Sequence, residues 1–180
     1  MTAFDWTALS AARNARPDAT PGTINHALRF LEDLLEETDH VCTFTLTDGP
    51  LLGDVSTAVD ALLPTSCRAS RLAPVSSWST LVDAALPGLF LPGHPAYVWA
   101  ERMPARQLAE SVAGWVLALL RRIWPGSVES WELTVDTSHW YEAVYVDLVV
   151  RVDERVWLHT SGSATDGTGP RCPAATRGAE

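Results

Sequence analysis

The stretch Val128-Glu-Ser-Trp-Glu-Leu-Thr-Val135, Asp136-Thr-Ser-His-Trp-Tyr-Glu142, Ala143-Val-Tyr-Val-Asp-Leu-Val-Val-Arg-Val152, Asp153-Glu-Arg-Val-Trp-Leu-His-Thr-Ser161 decides the fold. In its first part Trp131, Leu133 and Val135 alternate with Glu132, Thr134 and Asp136, the period of two that a strand imposes on its side chains. Val144, Val146, Leu148, Val150 and Val152 then share one face, opposite Tyr145, Asp147, Val149 and Arg151. Short polar connections between such runs spell an antiparallel meander. An odd-length loop, Asp153-Glu-Arg155, would set Val152 against Val156 and Val150 against Leu158, keeping apolar against apolar. That register is the expectation.

Upstream, the period changes to that of helices. Ile24, Ala27, Leu28, Leu31, Leu34 and Leu35 fall on one face, with Asn25, Arg29, Glu32, Asp33 and Glu36 on the other, and Thr20 or Thr23 can cap the start. The longest helix begins near Pro104 and repeats Leu108, Val112, Trp115, Val116, Leu119, Leu120 and Ile123. A strand over Val41 to Thr47 sets Cys42, Phe44 and Leu46 against Thr43, Thr45 and Thr47, and Asp48-Gly-Pro50 should end it. Asp54 can cap a short helix stopped by Pro64. Thr65 to Ser77 reads as loop, Ser79 to Leu86 as a short helix, and Leu89 to Trp99 as a proline-broken hairpin. The expected architecture is a single α+β domain over residues 1–160. It holds a mostly antiparallel sheet with a C-terminal β-meander, and the helices beginning near Ile24 and Pro104 pack on one face. Residues 161–180, rich in Gly, Ser, Thr, Ala and Pro, read as a disordered tail.

Composition narrows the function classes. The chain has 180 residues, enough for one core that buries roughly two-thirds of the unfolded surface. Its longest apolar run, around Trp115 to Leu120, is far short of the ~18 residues a membrane span needs. The N-terminus has no basic segment leading into an apolar one, so a cytoplasmic protein is expected. All 13 basic residues are arginine, which excludes Schiff-base, P-loop-lysine and lysine-base chemistry. A net charge of −9 disfavours nucleic acid and favours a basic partner. Cys42, Cys67 and Cys172 have neither paired nor zinc-ligand spacing, so no metal, and no other cofactor, is expected.

The chemistry-bearing stretch is Asp136 to Glu142. Trp140 and Tyr141 are residue types enriched at binding hot spots, and Asp136, His139 and Glu142 surround them. With Tyr145 and Trp157 on the neighbouring sheet, they form the expected contact surface of a non-catalytic acidic binding protein: an inhibitor, immunity-like protein, chaperone or adaptor that recognises a protein. The reading leans away from an enzyme. Its alternative is a small hydrolase in which Asp136 or Glu142 orients His139 as a general base, with Ser138 as nucleophile. A homodimer that covers a second sheet face is a third expectation. His159-Thr-Ser161 matches one half of a two-histidine phosphoesterase pattern without its second half, so His159 is expected near the surface at a strand end.

Overall fold

The computed structural model describes residues 6–15, 17–36, 42–82, 103–124, 128–137 and 144–163. Four helices and five strands have assigned bounds there: α1 (Trp6–Asn14), α2 (Pro21–Glu36), β1 (Cys42–Pro50), α3 (Val55–Leu62), β2 (Cys67–Pro74), α4 (Met103–Ile123), β3 (Glu129–Thr137), β4 (Val144–Val152) and β5 (Arg155–Ser163). A helical stretch also covers 78–82. The strands form one antiparallel sheet in the order β1-β5-β4-β3-β2. This is the expected α+β fold with its C-terminal meander.

The two amphipathic helices lie where their stripes predict. α2 buries Ile24, Ala27, Leu28, Leu31, Leu34 and Leu35, plus Phe30. α4 buries Val112, Val116, Leu119 and Leu120. Together with Leu9 of α1 they cover Cys42, Phe44 and Leu46 of β1, Leu148 and Val150 of β4, and Trp157 of β5. Thr20 caps α2, its Oγ1 accepting the Thr23 N–H at 3.2 Å, and Pro21 follows where its missing N–H is harmless.

α3 occupies the opposite face. Asp54 caps it by accepting the Thr57 N–H at 2.8 Å. β1 and β2 are the two outer strands, so the segment joining them crosses the whole sheet, and α3 touches β1, β2 and β5 on the way. Its Ala58 and Val59, with Leu63, form a second core with Cys67, Leu133, Val135, Val149, Val156 and Leu158. Gly49 lets α3 approach the sheet closely, for a Cβ there would stand 3.1 Å from Leu62 Cδ2.

This second core corrects the expected hairpin register. The β4–β5 turn is two residues, Asp153-Glu154, and it pairs Val152 with Arg155, Val150 with Trp157 and Val149 with Leu158. An odd loop would suit a sheet with one apolar face, whereas both faces are covered: Val150 and Trp157 enter the main core, Val149 and Leu158 the core under α3. Asp153 takes a φ of +51°, a conformation that Asp tolerates better than most residues.

Three further expectations change. β1 runs through Gly49 and Pro50, held by the Arg155–Asp48 ion pair and by Gly49 opposite Val156. The expected loop at Thr65 to Ser77 contains β2, which alternation could not reveal because the register shifts between Ala69 and Arg71. β5 continues through Ser163, past the last apolar alternation, because it is enclosed by β1 and β4 and needs no apolar face to be held. The proposed hairpin at Leu89 to Trp99, the second half of the helix near Ser79 to Leu86, and residues 164–180 lie outside the described residues.

Candidate functional site

Strand register assembles a polar corner on the face that carries α3. One row across the sheet reads Thr45, Thr160, Asp147, Leu133, and the next toward the β4 start reads Thr43, Gly162, Tyr145. Thr45 and Thr160 hydroxyls bond at 2.6 Å, and the Thr47 hydroxyl reaches the Leu158 carbonyl at 3.5 Å. Thr43, Thr45, Thr47, Thr160 and Tyr145 are all half-buried, whereas Asp147 is 1% exposed. The corner thus places short hydroxyls and one phenol, each half-buried, around a buried carboxylate. β-branched side chains on a sheet have little rotamer freedom left to lose, so such a surface is ordered before anything binds it.

The sequence-selected residues divide. Thr137 and Val144, the ends that flank the 138–143 segment, sit at the same end of the sheet as Thr43 and Tyr145. Ser138, His139, Trp140, Tyr141 and Glu142 lie outside the described residues. Asp136 is exposed at the end of β3 opposite Arg68, on the other face from Tyr145. Trp157 is placed differently from the expectation. It is 9% exposed and packs in the main core, edge to face with Trp124 at 6.3 Å, while Trp124 meets Trp78 at 4.9 Å. The register explains the placement, for Trp157 pairs with Val150 and so points under the long helices, not toward Tyr145.

Both sheet edges are closed by helix side chains. On β1, Asn25 of α2 uses its amide twice, donating to the Leu46 carbonyl at 2.8 Å and accepting the Leu46 N–H at 2.7 Å. Glu32, two turns on, accepts the Phe44 N–H at 2.5 Å. On β2, Asp60 of α3 accepts the Ala69 N–H at 2.7 Å. An amide and two carboxylates thus occupy groups that another strand would seek, so a peptide cannot extend the sheet at these positions without displacing them.

His159 is not at the surface. It is 1% exposed in β5, an inner strand of the sheet, with Nδ1 3.1 Å from the Thr45 carbonyl and Nε2 3.5 Å from Ser161 Oγ. Burial drives its pKa down from 6.5 to about 4, the hydrogen bond to Thr45 opposing that shift only in part. The ring is therefore neutral at pH 7. Thr160 beside it was missed by sequence reading, although a Thr row in one strand facing a Thr in another is a usable signal once their pairing is known.

No three His, Cys, Asp or Glu side chains gather as metal ligands among the described residues. No described helix is long and apolar enough to cross a membrane. Comparison with family models, with curated proteins and with solved structures returns no match.

Proposed function

We propose that the protein is a non-catalytic, acidic binding protein that recognises a basic protein partner through the Thr43/Thr45/Thr160/Tyr145 corner and the adjoining 138–143 segment. The observation that supports this reading is the half-buried row of hydroxyls beside Tyr145 on one face of the sheet. Those groups donate and accept hydrogen bonds without a long side chain to immobilise, and Tyr is a residue type that binding hot spots favour. Edge closure supports a face-on mode over strand addition. The net charge of −9 favours encounter with a cationic surface and makes the association rate depend on salt.

The test is capture on the immobilised full chain at low and at raised salt, using wild type, Tyr145→Ala, Thr160→Arg and Trp140→Ala. The expected outcome is one stoichiometric basic partner that weakens as salt rises. Tyr145→Ala and Thr160→Arg should each reduce its affinity by roughly thirtyfold, the equivalent of about 2 kcal/mol. Retention of the partner by both corner variants, or capture of none, would refute the proposed surface. A second copy of the chain as the captured species would instead identify a homodimer.

A further inference from the structure

Among the described residues, α1 enters the main core through one buried side chain, Leu9, which is 6% exposed. Ala8 and Ala12 flank it, half-buried against the same core and one turn apart, whereas Thr7, Ser10, Ala11, Arg13 and Asn14 are exposed. Two polar contacts to α4 accompany the leucine. Arg13 Nη1 donates to Ser111 Oγ at 2.8 Å, and Arg122 Nη1 donates to the Pro17 carbonyl at 3.0 Å with its Nη2 3.8 Å from Asp18 Oδ1. Both lie in solvent, where water competes for each partner and such contacts stabilise little.

A helix of nine residues is too short to persist in water by itself, so α1 keeps its shape only while docked. The rest of the fold does not depend on it in the same way. α2 packs on α4 and on β1 through its own apolar stripe, and Thr20 caps α2 whether or not α1 is in place. The caps on β1 come from Asn25 and Glu32, not from α1. Undocking α1 therefore removes from the main core one leucine and the margins of two alanines.

We propose that α1 is a displaceable strap, which undocks as a unit while the sheet, α2 and α4 stay folded, and whose vacated seat receives a short amphipathic helix of a partner protein with the pattern Ala-Leu-x-x-Ala-Arg. The occupant in the structure defines that chemistry. Leu9 fills the core position, Ala8 and Ala12 are small enough for the helix backbone to lie close, and Arg13 offers a guanidinium to Ser111. The seat is on the side of the sheet that carries α2 and α4, the opposite face from the Thr43/Tyr145 corner, so it stands or falls separately from that surface.

Native-state amide exchange on the full chain, wild type and Leu9→Ala, tests the strap. In wild type, residues 10–15 should be protected by on the order of thirtyfold, far less than α2 and α4. Leu9→Ala should remove that protection and lower that of α2 and α4 by no more than the same factor. Exchange of α1 at the rate of α2 and α4 in wild type, or loss of protection throughout the Leu9→Ala chain, overturns the strap. A fluorescently labelled peptide of residues 1–16 then probes the seat by anisotropy. Docking of about thirtyfold at the roughly millimolar effective concentration of a short tether corresponds to a dissociation constant of tens of micromolar. The peptide should bind the Leu9→Asp chain, whose carboxylate keeps its own α1 out of the core, and bind wild type on the order of thirtyfold more weakly. No binding to Leu9→Asp, equal binding to both chains, or unaltered binding by a peptide that itself carries Leu9→Asp overturns the seat. Should Leu9→Asp fail to fold, Leu9→Ala serves as the open chain with the same outcomes.

Discussion

Asn25 gives Leu46 the donor and the acceptor that a sixth strand would otherwise supply. Replacing it with Ala leaves a part-buried N–H and C=O without those bonds. Asn25→Ala should therefore lower unfolding free energy by about 1–3 kcal/mol, read as a shift of the urea midpoint at constant slope. This role was not legible in the sequence. Asn25 and Glu32 fall on the polar side of α2, where helical periodicity assigns them to solvent, and only the position of β1 turns them into edge caps. His159 misleads for a related reason. Its sequence surroundings resemble a strand terminus, but β5 runs on to Ser163 between two other strands, so the ring is enclosed. The opposite holds for Thr20 and Asp54, whose capping was readable because the group each one bonds lies three residues away.

Among the elements, α2, α4, β1 and the three meander strands were legible because each carries its own period. β2 was not, since a bulge breaks its alternation and its Arg, Ala and Ser residues have little strand preference. The β4–β5 register was misread through the same ambiguity that makes α3 important: once a helix covers the second face, apolar matching no longer distinguishes one hairpin register from the next. The candidate corner suffers equally. Thr43, Thr45 and Tyr145 were visible as wet-face residues, but joining them to Thr160 required β1 and β5 to be neighbours. The α3 contact itself is open to test at Gly49. Gly49→Val would drive a branched side chain into Leu62 and should destabilise the fold by about 1–3 kcal/mol in thermal or urea unfolding, with Gly49→Ala milder.

The whole molecule is a sheet with helices on both faces and side-chain caps on both outer strands. Removing the β1 caps together, as Asn25→Ala/Glu32→Ala, should expose contiguous strand N–H groups. Size-exclusion chromatography with light scattering should then show concentration-dependent association stronger than in wild type. The strand order has another consequence, for the making of the chain. β1 ends at residue 50, but the strand that pairs with it, β5, begins at residue 155. At ~5–20 residues per second, translation leaves β1 without its neighbour for on the order of ten seconds while the apolar stripes of α2 and then α4 emerge. A nascent chain halted before β5 would display those stripes and an unpaired strand at once. Ribosome-bound factors that shield apolar segments are thus expected to matter more for this protein than for one whose strands pair in the order they are made.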